Sequence, residues 1–464
     1  MRRAIAAVLL CSLSACGDST KPNDDAPPMA EEGEELSGGE TTVFDISPLA
    51  FSLAARNLDA SRRDDFAIGN SAFNDNWVIA PASTTARDGL GPLFSARSCS
   101  GCHVFDGRDH APTPGGGLGT MVLRLSVPGT DPHGGPLPDP VYGGALSPFA
   151  IPGVVAEGDA SITYVEHPGS FPDGEAYSLR EPVLTLVSPG YGPFAGNLLR
   201  SPRLAPVVIG LGLLEAIPDA TIQALADPND ANGDGISGRV NMVWDDEAQT
   251  VKMGRIGWKA NVPSLRLQTA GAFNGDIGIT SSIFPTHGST PAQAGLDTVP
   301  NGGSPELDPA RLDAVVTYLR TLAVPARRDV DDPTVLAGKQ AFADAGCARC
   351  HIPKLQTGAS DLPELAFQTI RPFTDLLLHD MGPGLADGRP DFQATGSEWR
   401  TPPLWGIGLV STVNRHTDFL HDGRARNFVE AILWHGGEAQ AARDRFAGLA
   451  ASERAALLAY LQSL

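Results

Sequence analysis

Outside its first 16 residues, this chain uses cysteine in only two places. "SARSCSGCHVFDG" (Ser95–Gly107) and "ADAGCARCHIPKL" (Ala343–Leu355) each hold two cysteines, two residues between them and a histidine directly after. The remaining cysteines are Cys11 and Cys16, so no conventional disulfide framework is available. Three chemistries compete for such motifs. A Cys-x-x-Cys redox pair does not require the following histidine. Zinc sites usually gather their ligands closer together in sequence, whereas each motif here has its own adjacent histidine. Covalent c-type haem attachment uses every feature: two thiols become thioethers at the ring edge, and the next residue sets an imidazole beneath the iron. On this reading Cys99, Cys102, Cys347 and Cys350 attach two haems, and His103 and His351 are their iron ligands.

The elements that would position these motifs are themselves repeated. Phe94 and Phe342 each precede the first cysteine of a motif by five residues. Val335–Ala345 has an apolar stripe at Leu336, Ala341 and Phe342, and reads as a helix delivering the second motif. "RLDAVVTYLRTL" (Arg311–Leu322) and "ERAALLAYLQSL" (Glu453–Leu464) both follow the helical i, i+3, i+4, i+7 pattern, with Tyr318 aligned on Tyr460. The expected fold is therefore mainly α: two cytochrome c-like domains, 43–325 and 330–464, joined by a linker at Val324–Pro333. The first repeat, His103 to Tyr318, is longer than the second, His351 to Tyr460. It carries a Gly- and Pro-rich insertion with strand-like runs, "TMVLRLSV" (Thr120–Val127) and "PVLTLVS" (Pro182–Ser188).

The chain has 464 residues and a net charge of −20. That length suits two or three compact units, and the charge argues against nucleic acid as a partner. At the N-terminus, Arg2 and Arg3 precede an apolar run, Ala4–Leu13, shorter than the roughly 20 residues of a membrane span. It ends in "LSAC", which is similar to a bacterial lipobox with Cys16 as the lipidated residue; an ordinary signal peptide cut nearby is the alternative. The expected order is a lipoprotein signal over 1–16 and an exposed acidic tether over 17–42. The location expected is the periplasmic side of the envelope, anchored through Cys16, with the outer membrane favoured.

Further motifs extend the pattern: "LFSARSCSGCH", "GLGLLEAIPD", "NGDGISGRVN", "GDIGIT", "LLLHDMGPGLADG", "EWRTPPLWGIG" and "FLHDGRARNFVEAILWHGG". Together they resemble the bacterial di-haem oxidoreductase family, described as peroxidases and sometimes as thiol oxidoreductases. They are more distantly similar to di-haem cytochrome c peroxidases. The resemblance runs from about Phe44 to Leu464. With every mature cysteine in a thioether or lipidated, no thiol is free for disulfide exchange, so the peroxidase-type reading is kept. The resemblance also implies a ligand of the second haem near the helix of "VEAILWH". His435 stands where the peroxidase relatives place Met or Tyr, five residues after Glu430. Met381, in a glycine-rich turn, is the rival, and His379 and His421 are expected to shape nearby loops.

The first motif has no comparable second ligand; His110 and His133 lie in Gly/Pro-rich loops. An iron open on one face permits peroxide chemistry, which needs a group to move a proton. Glu215, desolvated among Leu and Ile, is the candidate, with Gln268 second. "DANGDGISGRVN" (Asp230–Asn241) begins like a calcium loop, with oxygens on Asp230, Asn232 and Asp234, but lacks the closing Glu. An Asx-rich turn is the alternative. The function expected is electron flow from the C-terminal haem to a reactive N-terminal haem, with a small oxidant such as hydrogen peroxide as substrate. The electrons would come from a donor protein or a quinol-linked carrier. A non-enzymatic electron-transfer cytochrome is the competing class, disfavoured by the size of the first domain.

Overall fold

The computed structural model describes residues 29–464. The signal segment with Cys11 and Cys16, and the tether up to Pro28, lie outside the described residues. The rest of the expected tether is partly packed down: Met29, Glu31, Glu32 and Glu40 are exposed, but Glu34, Ser37, Thr41 and Thr42 are buried. Glu34 is buried and pairs with Arg327 and with Lys339 Nζ at 2.8 Å, and Ser37 O accepts from Arg371 N at 2.7 Å. Those bonds tie the acidic run onto the body.

The described helices, in chain order, are α1 (Ala60–Asn74), α2 (Leu211–Glu215), α3 (Asp219–Leu225), α4 (Leu265–Ile277), α5 (Pro309–Thr321), α6 (Pro333–Asp344), α7 (Val410–Asn414), α8 (Phe428–Leu433), α9 (Gln440–Gly448) and α10 (Ala451–Ser463). Their starts follow capping rules. Asp308 and Asp332 accept from the first-turn amides of α5 and α6, and each helix opens on proline, whose missing N–H costs nothing there.

Two helix pairs recur. α1 packs on α5 and α6 on α10, each beside one Cys-x-x-Cys-His turn. The apolar positions Ala456, Leu457, Tyr460, Leu461 and Leu464 at the C-terminal helix are all buried; in the Arg311–Leu322 segment Leu312, Val315, Leu319 and Leu322 are buried and Val316 is half-buried. The pairs share a detail: a glycine at the crossing. An added Cβ on Gly69 would lie 2.2 Å from Ala314 O, and one on Gly338 would lie 2.0 Å from Ala456 O. The aromatic match differs from the sequence alignment. Phe342 meets Tyr460 at 5.3 Å and His351 at 6.3 Å, and it is Phe73 that meets Tyr318 at 5.3 Å and His103 at 6.2 Å. Phe94 instead stacks on Phe149 in a short strand pair.

The fold is nevertheless not mainly α, and the expected pair of cytochrome c-like domains is corrected here. Only 29% of the described residues are helical and 19% are in strands, spread over several small sheets. The insertion explains the difference. Val122–Thr130 forms the centre of a small antiparallel sheet with Leu199–Arg203, Ala145–Leu146 and Pro136–Leu137. Asp159–Ser170 and Ala176–Val187 form a long two-stranded ribbon in unbroken register. Both expected strand runs fall in these elements. The tip of the ribbon crosses to the other half: Phe171 enters the core around Phe342, Phe446 and Tyr460, and Arg454 Nη2 binds Asp173 and Glu175 at 2.5 and 2.7 Å.

The two halves also share a core. Phe51, Ile209, Leu213 and Val324 pack in one cluster with Leu365, Ile370, Trp405 and Val410. The expected linker begins inside it, since Val324 is fully buried. Among the described residues, no helix is long and apolar enough to cross a membrane.

The glycine crossings give a direct test. Gly69→Ala and Gly338→Ala should each destabilise the protein by about 1–3 kcal/mol, because the partner is backbone and cannot move aside cheaply. Chemical unfolding of both variants measures this, and a change at neither site would contradict the crossing geometry.

Candidate functional site

Each motif is wound into one turn of 3₁₀-helix, with the histidine amide donating back to the first cysteine carbonyl. His103 N to Cys99 O is 3.0 Å, and His351 N to Cys347 O is 3.0 Å. The turn brings both thiols and the ring of each motif to a common cavity of about 460 Å³. Cys99, Cys102 and His103 line it, as do Cys347, Cys350 and His351. None of the four cysteines is in a disulfide. Burial pushes the Cys99 and Cys347 thiols up to about 12 and raises Cys102 too, so none of these three is a thiolate nucleophile at neutral pH.

The imidazoles are oriented by backbone carbonyls. His103 Nδ1 donates to Pro206 O at 2.8 Å, and His351 Nδ1 donates to Phe373 O at 2.9 Å. That bond fixes the tautomer and leaves the Nε2 lone pair available. Burial lowers both rings below the usual histidine range, His351 to about 4, so both are neutral at pH 7. A third ring is held in the same way. His435 follows α8, is lowered by burial, lines the cavity, and donates from Nδ1 to Ala431 O at 2.7 Å. Met381 lines the cavity as well.

His379 is different, because both its nitrogens are committed. Nε2 meets Asp375 at 2.9 Å and Nδ1 meets Glu438 at 2.8 Å. Burial opposes its charge, but Asp375, Cys350 and Glu438 raise it to about 12, so it is an imidazolium. Cys350, Asp375 and His379 present ligand-type atoms within 4.8 Å of one another. An ion there would have to displace the His379 ion pairs. His421 stacks on Trp399 at 3.8 Å, and burial lowers it to about 4. His110 Nδ1 donates to Ala111 O locally at 2.9 Å, His133 stacks on Trp244 at 4.1 Å, and neither lines the cavity.

Two cavity arginines escaped the sequence reading. Arg108 is buried and binds the carbonyls of Asp418 and Leu420; Arg400 is buried and binds those of Gly257 and Thr401. Neither forms an ion pair among the described residues, and burial lowers both to about 10. A buried guanidinium satisfied by carbonyls alone is incompletely compensated and favours an anionic neighbour.

The proposed proton-moving residues separate. Gln268 lines the cavity from α4. Glu215 does not, and the expectation for it is corrected. Its Oε1 accepts from Leu265 N at 2.9 Å, and its Oε2 meets Arg320 Nε at 3.0 Å. Its apolar neighbours in sequence bury the end of α2, but the carboxylate turns to the first amide of α4. The Asp230, Asn232 and Asp234 side chains accept from amides of their own loop, at Gly235, Asp234 and Ile236, and Asp234 also pairs with Arg349 at 3.3 Å. These are Asx turns, with the oxygens spent on the loop itself.

Glu215→Ala should therefore lower stability by about 1–2 kcal/mol, the scale of a part-buried ion pair plus an amide bond. It should leave the absorption spectrum of the haem-loaded protein unchanged; a spectral change with full stability would return Glu215 to the site.

No curated protein and no solved structure matches the chain. A family model matches residues 32–125 and 155–464, which is nearly the whole described body and both motifs. Residues 126–154, which carry part of the small sheet, fall between those ranges. The chain belongs to the family described as "Di-haem oxidoreductase, putative peroxidase".

Proposed function

We propose that this di-haem oxidoreductase attaches its haems covalently, through Cys99 and Cys102 at one motif and Cys347 and Cys350 at the other. His103 and His351 would hold the irons, and His435 would be a further ligand at the second motif. The donor set fits that group: paired thiols, neutral imidazoles with Nε2 unengaged, a mostly apolar cavity, and two buried guanidiniums suited to haem carboxylates. Haem bound at each motif would supply one-electron redox chemistry.

The observation that carries the division of labour is an asymmetry. At the second motif two neutral imidazoles, His351 and His435, lie close in the cavity with Nδ1 tied to backbone. At the first motif only His103 is held in this way, and the wall contributed by α4 includes Gln268. The second motif is accordingly read as the electron relay and the first as the reactive site. The substrate is a small oxidant such as hydrogen peroxide, which takes two electrons and two protons to give two waters. An external one-electron donor, a protein or a quinol-linked carrier, supplies the electrons. Within the chain, the Pro206 and Phe373 carbonyls hold the ligand rings, and the shared apolar core keeps the halves at fixed spacing. Attachment to the periplasmic face of the envelope through a lipidated Cys16 belongs to the same proposal and rests on the Arg2–Cys16 pattern.

Intact mass of the exported protein should show two haems per chain and an N-terminus at a lipid-modified Cys16. One haem or none would overturn the reading. His435→Ala should alter the absorption of one haem, while Met381→Ala leaves both unchanged; the reverse result would assign the ligand to Met381.

A further inference from the structure

The cavity beside the first motif is walled by one face of α4. Gln268, Ala272 and Asp276 recur every fourth residue and all line it. Positions four apart stack on one face of a helix. Ala272 is small and leaves room between two polar ends. Gln268 makes no side-chain hydrogen bond among the described residues, and Asp276 Oδ1 is buried without a hydrogen-bond partner. The nearest cation is Arg124 Nη2 at 3.6 Å, itself on the cavity wall and too far for a good hydrogen bond. The backbone of Asp276 is fixed, since its carbonyl accepts from Ser95 N at 2.8 Å and Ala96 N at 3.0 Å, in the segment leading into Cys99. Burial raises the carboxyl above its usual range, against the pull of Arg124 and His103. Buried carboxylate oxygens without partners are exceptions in folded proteins, and each asks for a role.

We propose that Asp276, positioned by Arg124, is the proton-transfer residue for a small oxidant held against the Gln268–Ala272–Asp276 face. The proposal rests on the reading of the first motif as the reactive one. Asp276 takes a proton from one peroxide oxygen and delivers it to the other as the O–O bond breaks. The two electrons come from the external one-electron donor, two protons come from solvent, and two waters leave. Gln268 orients the oxidant, and Ala272 sets its size.

Cyanide binding to the oxidised, haem-loaded protein tests this apart from turnover, because hydrogen cyanide must lose a proton to bind ferric haem. Asp276→Asn should slow cyanide association at least about tenfold at neutral pH, with the haem count unchanged. Asp276→Glu should recover part of the rate. An unchanged rate in Asp276→Asn, or no cyanide binding to the wild-type protein, would overturn the proposal. If the Asn variant is not recovered with two haems, the Glu variant decides: an unaltered cyanide rate overturns the proposal and a shifted one supports it. Peroxide consumption measured in parallel separates the two claims. Slowed cyanide binding in a wild-type background that consumes no peroxide keeps Asp276 and removes the peroxide reading. Peroxide consumption with both variants at wild-type cyanide rates keeps the reading and removes Asp276.

Discussion

An imidazole offers a lone pair in a chosen direction only when its other nitrogen is held. For the motif histidines and His435 the holding is done by backbone carbonyls: Pro206 for His103, Phe373 for His351 and Ala431 for His435. Burial keeps all three rings neutral, so each has a lone pair to give. His379 is the contrast. Between two carboxylates it is charged and has no lone pair at all. Among His103, His351, His435 and His379, which oxygen meets Nδ1, a neutral carbonyl or a carboxylate, therefore decides whether a lone pair is left.

Those carbonyls must themselves be fixed, and the rest of the structure serves that end. Pro206 belongs to the segment leaving the inserted sheet, held where Leu204 N donates to His421 O and Trp258 Nε1 donates to Leu204 O. Phe373 packs edge-on against Phe342 and Tyr460, within the α6–α10 pair. The glycine crossings let each helix pair close far enough for its aromatic to reach the motif histidine. The ribbon that carries Phe171 into the second core, and the cluster joining Phe51 to Trp405, then bind the halves into one body. A rigid spacing between two motifs is what electron exchange between them would require.

Much of this was readable in the sequence, for local reasons. The Cys-x-x-Cys-His spacing is a single turn of chain, and the α5 and α10 faces follow a 3.6-residue period. Phe73 was missed because α1, "ASRRDDFAIGNSAFN", is mostly polar and carries its aromatics without a continuous apolar stripe. Fold class was misread because strand content lies in a Gly/Pro-rich insertion where pattern is weak. Glu215 shows a different limit: apolar neighbours announce burial but not which way a carboxylate turns. Asp276 could have been found, since it stands two helical turns from Gln268 on the same face. The carbonyl contacts of His103 and His351 could not, because their partners are remote in sequence and carry no side-chain signature.

The central claim is that the two sites differ: the second motif would have two carbonyl-held imidazoles for its haem, His351 and His435, and the first would have one, His103. Electron paramagnetic resonance of the fully oxidised protein reads this directly. The account predicts one low-spin ferric signal together with one high-spin ferric signal. Two low-spin signals, persisting when the protein is half-reduced, would contradict it.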